Sequence, residues 1–148
     1  MKVILASDHA GIELRQELVA LLKERGADFQ DLGPQTRESV DYPDFASQVA
    51  RQVVAEEGTL GVLVCGTGIG MSIVANKHRG IRAALCTTEF EARMTRAHND
   101  ANVLCLGQRV VGAGVARGIL EAFLSTAFEG GRHEKRVQKI RDVEAQQR

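Results

Sequence analysis

Apolar runs and helical stripes alternate along the whole chain, and a strict alternation of this kind admits few folds. "KVILAS" (Lys2–Ser7) reads as a buried strand. "IELRQELVALLKERG" (Ile12–Gly26) follows, with apolar residues at 14, 18, 21 and 22 forming a helical stripe closed by Gly26. "DFQDLG" predicts a short second strand running into the polar loop "PQTRESVDYP". Pro43 then opens a helix with Phe45, Val49, Val53 and Val54 on one face and Gly58 at its end. "LGVLVC" (Leu60–Cys65), "IRAALC" and "NVLCLG" predict three more strands. A short helix to about Asn76, then "EFEARMTRAHN" and "VARGILEAFLST", supply the helices between and after them. Five strands alternating with helices imply an α/β fold, a Rossmann-like three-layer sandwich around a five-stranded parallel sheet. The 148 residues suit one domain, with a C-terminal helical arm from about residue 130.

Composition removes several classes of function. Lys plus Arg and Asp plus Glu balance at 19 each, so no global field draws nucleic acid or an anionic membrane. Any anion must be met by a local arrangement. No run approaches the ~18 apolar residues of a membrane span, and the amino terminus is too short for a signal peptide. Three cysteines without a C-x-x-C pair argue against a disulfide framework or a zinc site. The expected setting is the cytoplasm, with reduced thiols.

Right-handed crossovers put the carboxyl ends of all five strands along one edge, where open α/β sheets bind ligands. Three groups fall there: "SDHAG" after the first strand, "CGTGIG" after the third and "GQR" after the fifth. Cys86 and Cys105 lie in apolar runs and read as small core residues. "GTGIG" is neither the G-x-G-x-x-G of a dinucleotide fold nor a P-loop, which would need a following G-K-[ST]. A thiol phosphatase would want arginine where this chain has Met71. The plain alternative is a tight strand-to-helix turn that needs glycine for its dihedrals. The functional reading is a backbone nest at a helix amino terminus, whose N–H groups face developing negative charge and favour the thiolate of Cys65. A thiolate beside such a nest suits a base that removes a carbon-bound proton, and equally suits nucleophilic thiol chemistry.

The remaining candidates are individually weak. Asp8-His9 offers a carboxylate and an imidazole on one turn, or merely a helix cap. His98 and Asn99 close a helix, where histidine also serves as an ordinary C-terminal residue. Arg132 and Arg136 stand four apart behind Gly130-Gly131, on one helical face. Alone they read as a solvated helix; with Arg109 they could clamp a phosphate.

Taken together, "SDHAG", "DYPDFA", "CGTGIGMSIVANK", "GIRAAL", "AHNDANVLCLGQRVVG" and "EGGRHEKRV" resemble the type B ribose-5-phosphate isomerases. Their family also holds galactose-6-phosphate isomerase subunits. The match runs in order from the first strand to about Ile140. The resemblance implies an aldose–ketose interconversion of a phosphorylated sugar through a cis-enediolate, with no metal and no cofactor. It makes Cys65 the base between C1 and C2, with the backbone of Gly66, Thr67, Gly68, Ile69 and Gly70 holding the enediolate and Thr67 near the sugar oxygens. His98 would open the furanose ring, assisted by Asp8 and Tyr42. His9, Arg109, Arg132 and Arg136 would bind the phosphate, and Asn99 a hydroxyl. Some members that resemble this chain carry a glutamate base just after the last loop glycine; Met71, which stands there, cannot accept a proton. Ribose 5-phosphate is the expected substrate, with a six-carbon sugar phosphate or a non-catalytic anion- or nucleotide-binding module as alternatives.

Topology adds a length. Cys65 ends a strand at the carboxyl edge, while His98 and Asn99 end a helix that has carried the chain back. A strand of five or six residues separates those edges by ~17–20 Å. One reaction using both residues therefore requires a neighbouring subunit. The expectation is a homodimer or homotetramer with shared sites, its carboxy-terminal arm packed on the neighbour because Val137, Ile140 and Val143 make only a thin stripe.

Overall fold

Each apolar run becomes a parallel strand because both of its faces find a helix to cover them. The computed structural model describes residues 1–147. Its strands are β1 (Lys2–Ser7), β2 (Asp28–Asp31), β3 (Leu60–Cys65), β4 (Ala83–Leu85) and β5 (Val103–Gly107). They form one sheet in the order β2-β1-β3-β5-β4, parallel throughout. The helices are α1 (Ile12–Glu24), α2 (Tyr42–Ala55), α3 (Ile69–Ala75), α4 (Glu89–Asn99), α5 (Ala113–Ser125) and α6 (Arg132–Gln146). None of the described helices is long and apolar enough to cross a membrane.

The period-2 alternation of a strand divides the core in two. Val3 and Leu5 join Leu18 and Leu22 of α1 and Ile119 and Phe123 of α5, with Ala92 of α4 beside them. Ile4 and Ala6 face the other way, against Val49 and Val53 of α2 and Met71 and Ala75 of α3. The result is the three-layer sandwich expected from the sequence.

Local chemistry shifts a few boundaries. The run "IRAALC" pairs only over Ala83–Leu85, because the Ile81 N–H bonds His78 O (3.2 Å) and the Arg82 N–H bonds Asn102 Oδ1 (2.8 Å) in a turn. Arg15 lies within the apolar side of α1 and is 1% exposed. It pairs with Asp31 (3.1 Å) and donates to Ser7 Oγ and Pro34 O, both at 2.6 Å, fastening the segment after β2 to the end of β1. A capping box between Thr88 and Glu91 starts α4. Asp100 ends that helix in the left-handed region (φ 47°). Its carbonyl accepts from Arg82 Nε (3.0 Å) and Nη2 (2.8 Å), and its carboxylate meets Arg82 (3.0 Å) and Arg96 (3.4 Å).

The arm α6 begins on its own domain. His133 and Val137 are buried, with α4 as the helix they pack beside. Farther along, Ile140 and Val143 stay about half exposed. The far end hydrogen-bonds the turn before β4, Gly80 N–H to Glu144 Oε1 and Arg79 Nη2 to Gln147 O, both 2.9 Å.

Candidate active site

The strand order sets β1, β3 and β5 side by side, so the three loops leaving their carboxyl ends meet. The chain steps outward from β1 to β2 and then returns to β3 on the other side. The gap between β1 and β3 is thus a topological switch point, where open sheets bind ligands.

Asp8 follows β1 and is buried; its Oδ1 accepts the Ala10 N–H (2.9 Å), and its own N–H binds Val64 O (3.1 Å). His9 beside it is exposed, and its Nδ1 accepts the Val40 N–H at 3.2 Å. The proton of the neutral ring therefore sits on Nε2.

Cys65 ends β3 and is 5% exposed. Its Sγ accepts the backbone N–H of Gly68 at 3.1 Å, so the loop curls around the sulfur. Gly68 has φ 78°, and a Cβ there would lie 2.8 Å from the Leu106 carbonyl carbon. Gly107, at the end of β5, is needed for the complementary reason: a Cβ on it would stand 2.5 Å from the carbonyl carbon of Thr67. Two bare backbones thus press together and set the height of the loop. The first i→i−4 bond of α3 is Ser72 N–H to Gly68 O. The Ile69 N–H goes to Thr67 Oγ1 (3.3 Å), which leaves the Gly70 and Met71 amides as first-turn donors with no intrahelical acceptor. The Met71 side chain is itself fully buried in the α2–α3 cluster.

After β5, Gln108 N–H bonds Cys65 O (2.9 Å) and Arg109 N–H bonds Gly66 O (3.0 Å), stitching this loop to the glycine loop. Gln108 belongs to the "GQR" group expected at this edge, and its side-chain amide also bonds Glu13 Oε2 (2.9 Å) and the Leu14 N–H (3.0 Å). The Gln108 bond, with Arg37, holds the Glu13 carboxyl below the usual glutamate range.

A cavity of about 500 Å³ results. Asp8, His9, Tyr42, Cys65 and Arg109 line it, together with Gly66, Thr67, Ile69 and Gly70 of the loop. Gly68 contributes its N–H to the sulfur. The other two thiols are elsewhere: burial pushes Cys86 up to about 12, and Cys105, fully buried, further still.

His98, Asn99, Arg132 and Arg136 are not among the residues around this cavity. His98 and Asn99 finish α4 just before β5, and the Asn99 carbonyl accepts from Arg82 Nε (3.0 Å) at the amino edge of the sheet. The His98 ring stacks on His133, centroids 4.1 Å apart and planes 11° from parallel. Glu129 Oε2 lies 3.9 Å from His98 Nε2 and 3.4 Å from His133 Nε2. Burial, reinforced by His98 and Arg132, holds the His133 imidazole below the usual histidine range. Arg132 and Arg136 are exposed on α6. His133 and Glu129 went unrecognised in the sequence because Gly130-Gly131 interrupts the four-residue spacing that would otherwise mark them as neighbours.

A parallel sheet with a sequestered thiol at its switch point, in a cavity that also holds Asp8, His9 and Arg109, defines a small-ligand α/β protein. Comparison with known proteins narrows this. The family model described as Ribose/Galactose Isomerase matches residues 3–140. A ribose-5-phosphate isomerase B of Escherichia coli is 48% identical over 143 residues, 97% of this chain and 96% of that one. A putative sugar phosphate isomerase of Bacillus subtilis is 51% identical over 145 residues, 97% of each chain. The solved ribose-5-phosphate isomerase B of Clostridium thermocellum superposes with a TM-score of 0.95 at 50% identity, covering 98% of both chains. The chain belongs to the Ribose/Galactose Isomerase family and is an isomerase, so the non-catalytic reading of the glycine loop falls away.

Proposed function

We propose that this protein interconverts ribose 5-phosphate and ribulose 5-phosphate through a cis-enediolate, with Cys65 as the base. The observation that carries the proposal is the meeting of one sequestered sulfur with the glycine loop in the same cavity as His9 and Arg109. His9 and Arg109 suit the phosphate. The thiolate takes the C2 proton of the open aldose, and the electron pair moves onto O1 as the enediolate. First-turn amides of α3 stabilise that charge. A proton passes between O2 and O1, and the thiol returns its own to C1. No electron is lost or gained overall.

The site is shared between two copies of the chain in this proposal. What supports this is a length: β3 runs from Gly61, beside Val103, to Cys65, beside Gly107, which is ~13 Å of strand. His98, Asn99, Arg132 and Arg136 of a second copy then complete the cavity, His98 protonating the ring oxygen while Asp8 and Tyr42 assist. Although both ends of α6 are held on this chain, Ile140 and Val143 between them stay about half exposed and would be the part a neighbour covers.

The test is exchange of the C2 hydrogen with deuterated solvent. Cys65→Ala should reduce exchange and turnover by at least ~10²–10⁴-fold, while calorimetry shows a phosphorylated sugar acid still binding. Near-normal turnover would remove the thiol from the mechanism. A panel of ribose, allose and galactose phosphates assigns the substrate; preference for a six-carbon sugar would replace ribose in the proposal and leave the base untouched.

A further inference from the structure

The pair of histidines at the amino edge contains a feature that acid catalysis does not explain. His98 Nε2, His133 Nε2 and one oxygen of Glu129 all lie within 4.8 Å of one another. None of the three is hydrogen-bonded to another: Glu129 Oε2 is 3.9 Å from His98 Nε2, and at 3.4 Å from His133 Nε2 it lies off the line of that ring nitrogen. His133 is 4% exposed, and its buried Nε2 has no hydrogen-bond partner at all. A buried ring nitrogen without a partner, with a carboxylate and a second imidazole beside it, is costly unless something joins them.

We infer that His98, Glu129 and His133 form a binding site for a divalent transition-metal ion of the zinc class. Two imidazoles and one carboxylate are a zinc donor set that leaves a fourth position open. The three donors are held by separately anchored backbone. His98 is on the last turn of α4; the Glu129 N–H bonds Ala97 O at 3.0 Å; the His133 N–H bonds Gly130 O at 2.9 Å. Metal–ligand bonds of ~2.0–2.1 Å in a tetrahedron place donors ~3.3 Å apart, so the cluster needs only a modest contraction. The stacked rings must tilt toward each other for both lone pairs to converge, and the stack therefore opens when the ion enters. Imidazole donors select Zn²⁺, Co²⁺ or Ni²⁺ over Mg²⁺ and Ca²⁺.

A consequence for activity rests on the proposed role of His98. An imidazole bound to a metal through Nε2 cannot deliver a proton from that atom, so the ion inhibits turnover of the cyclic aldose.

The experiment uses the tag-free, metal-stripped protein and Co²⁺ as a spectroscopic probe. Wild type and Cys65→Ala should both show the visible absorption of four-coordinate Co²⁺, unchanged by excess Mg²⁺ and displaced by Zn²⁺. Glu129→Gln and His133→Ala should bind Co²⁺ at least ~10-fold more weakly. Glu129 is largely exposed, so its variant keeps the test valid should His133→Ala fail to fold. Absence of the absorption, its loss in Cys65→Ala alone, or equal affinity in Glu129→Gln would overturn the site. Zn²⁺ binding without inhibition would leave the metal site standing and remove His98 from ring opening instead.

Discussion

At the carboxyl edge of the sheet, functional groups come from loops that bond to one another and close around a cavity. At the amino edge they come from the end of α4, the start of α6 and the segment between α5 and α6; His133 is buried, while Asn99, Arg132 and Arg136 are exposed. The first arrangement encloses a cavity; the second is a packed cluster of His98, Glu129 and His133 flanked by exposed arginines. The contrast teaches that one chain supplies two unlike halves. If the site is shared as proposed, one is a receptacle and the other a set of reagents for a neighbour's receptacle.

The sharpest way to break that contrast is to separate the halves genetically. Cys65→Ala damages the receptacle and His98→Asn the inserted reagents, so each variant alone should be nearly inactive. Mixed under conditions of subunit exchange, they should recover about a quarter of wild-type activity, because half of random dimers are mixed and each owns one intact site. No recovery after proven exchange would place both residues in one chain's site.

A smaller effect sharpens the role of the amino edge. His98→Asn should slow the aldose direction by ~10²-fold, within the range for general acid catalysis. The ketose direction should lose less, because ribulose 5-phosphate cannot close a furanose ring. Initial rates at saturation with each sugar check this, and equal losses would argue for a purely structural histidine.

The receptacle has a structural counterpart to these tests. Gly107→Ala forces a methyl against Thr67 and should cost about 1–3 kcal/mol by overpacking, together with much of the activity. Gly114→Ala in the first turn of α5 meets nothing within 4 Å and should be neutral or stabilising by about 0.4–1 kcal/mol. Thermal melts and rates on both variants distinguish loop height from general fragility.

The smallest effect concerns the thiols outside the cavity. Burial raises the folded-state values of Cys86 and Cys105 above the about 8.5 of an unfolded thiol. Their contribution to stability is therefore complete below about pH 8.5 and declines as pH rises toward about 12 for Cys86. Denaturant titrations at pH 8 and 10 should show the decline. Alkylation of the native protein at pH 8, mapped by mass spectrometry, should leave Cys86 and Cys105 unmodified.

Much of this was legible in the sequence because strands buried on two faces leave unbroken apolar runs. All five strands and six helical segments fall where periodicity sets them, and Asp8, Cys65, the glycine loop and Arg109 follow from strand ends alone. Strand order was not legible: nothing local tells β5 to insert between β3 and β4. Arg15 was hidden because one arginine on an apolar stripe looks like a solvated residue until Asp31 and Ser7 are seen around it. His133 and Glu129 were hidden by the glycine pair between them, since their proximity is made by a tertiary bond to Ala97.

The clasp of Arg82 and Arg96 on Asp100 bears on how fast two copies would join in the proposed dimer. It completes the last turn of α4 inside a single chain, so His98 and Asn99 are presented before any partner arrives. A segment that ordered only on contact would make association wait for a conformational search. In the proposed dimer the encounter is a docking of finished surfaces, for which rates of ~10⁵–10⁷ M⁻¹s⁻¹ are ordinary. Breaking the clasp with Asp100→Gly removes the carboxylate while allowing the same backbone angle. Reassembly after dilution should then be slowed even where the final complex is unchanged.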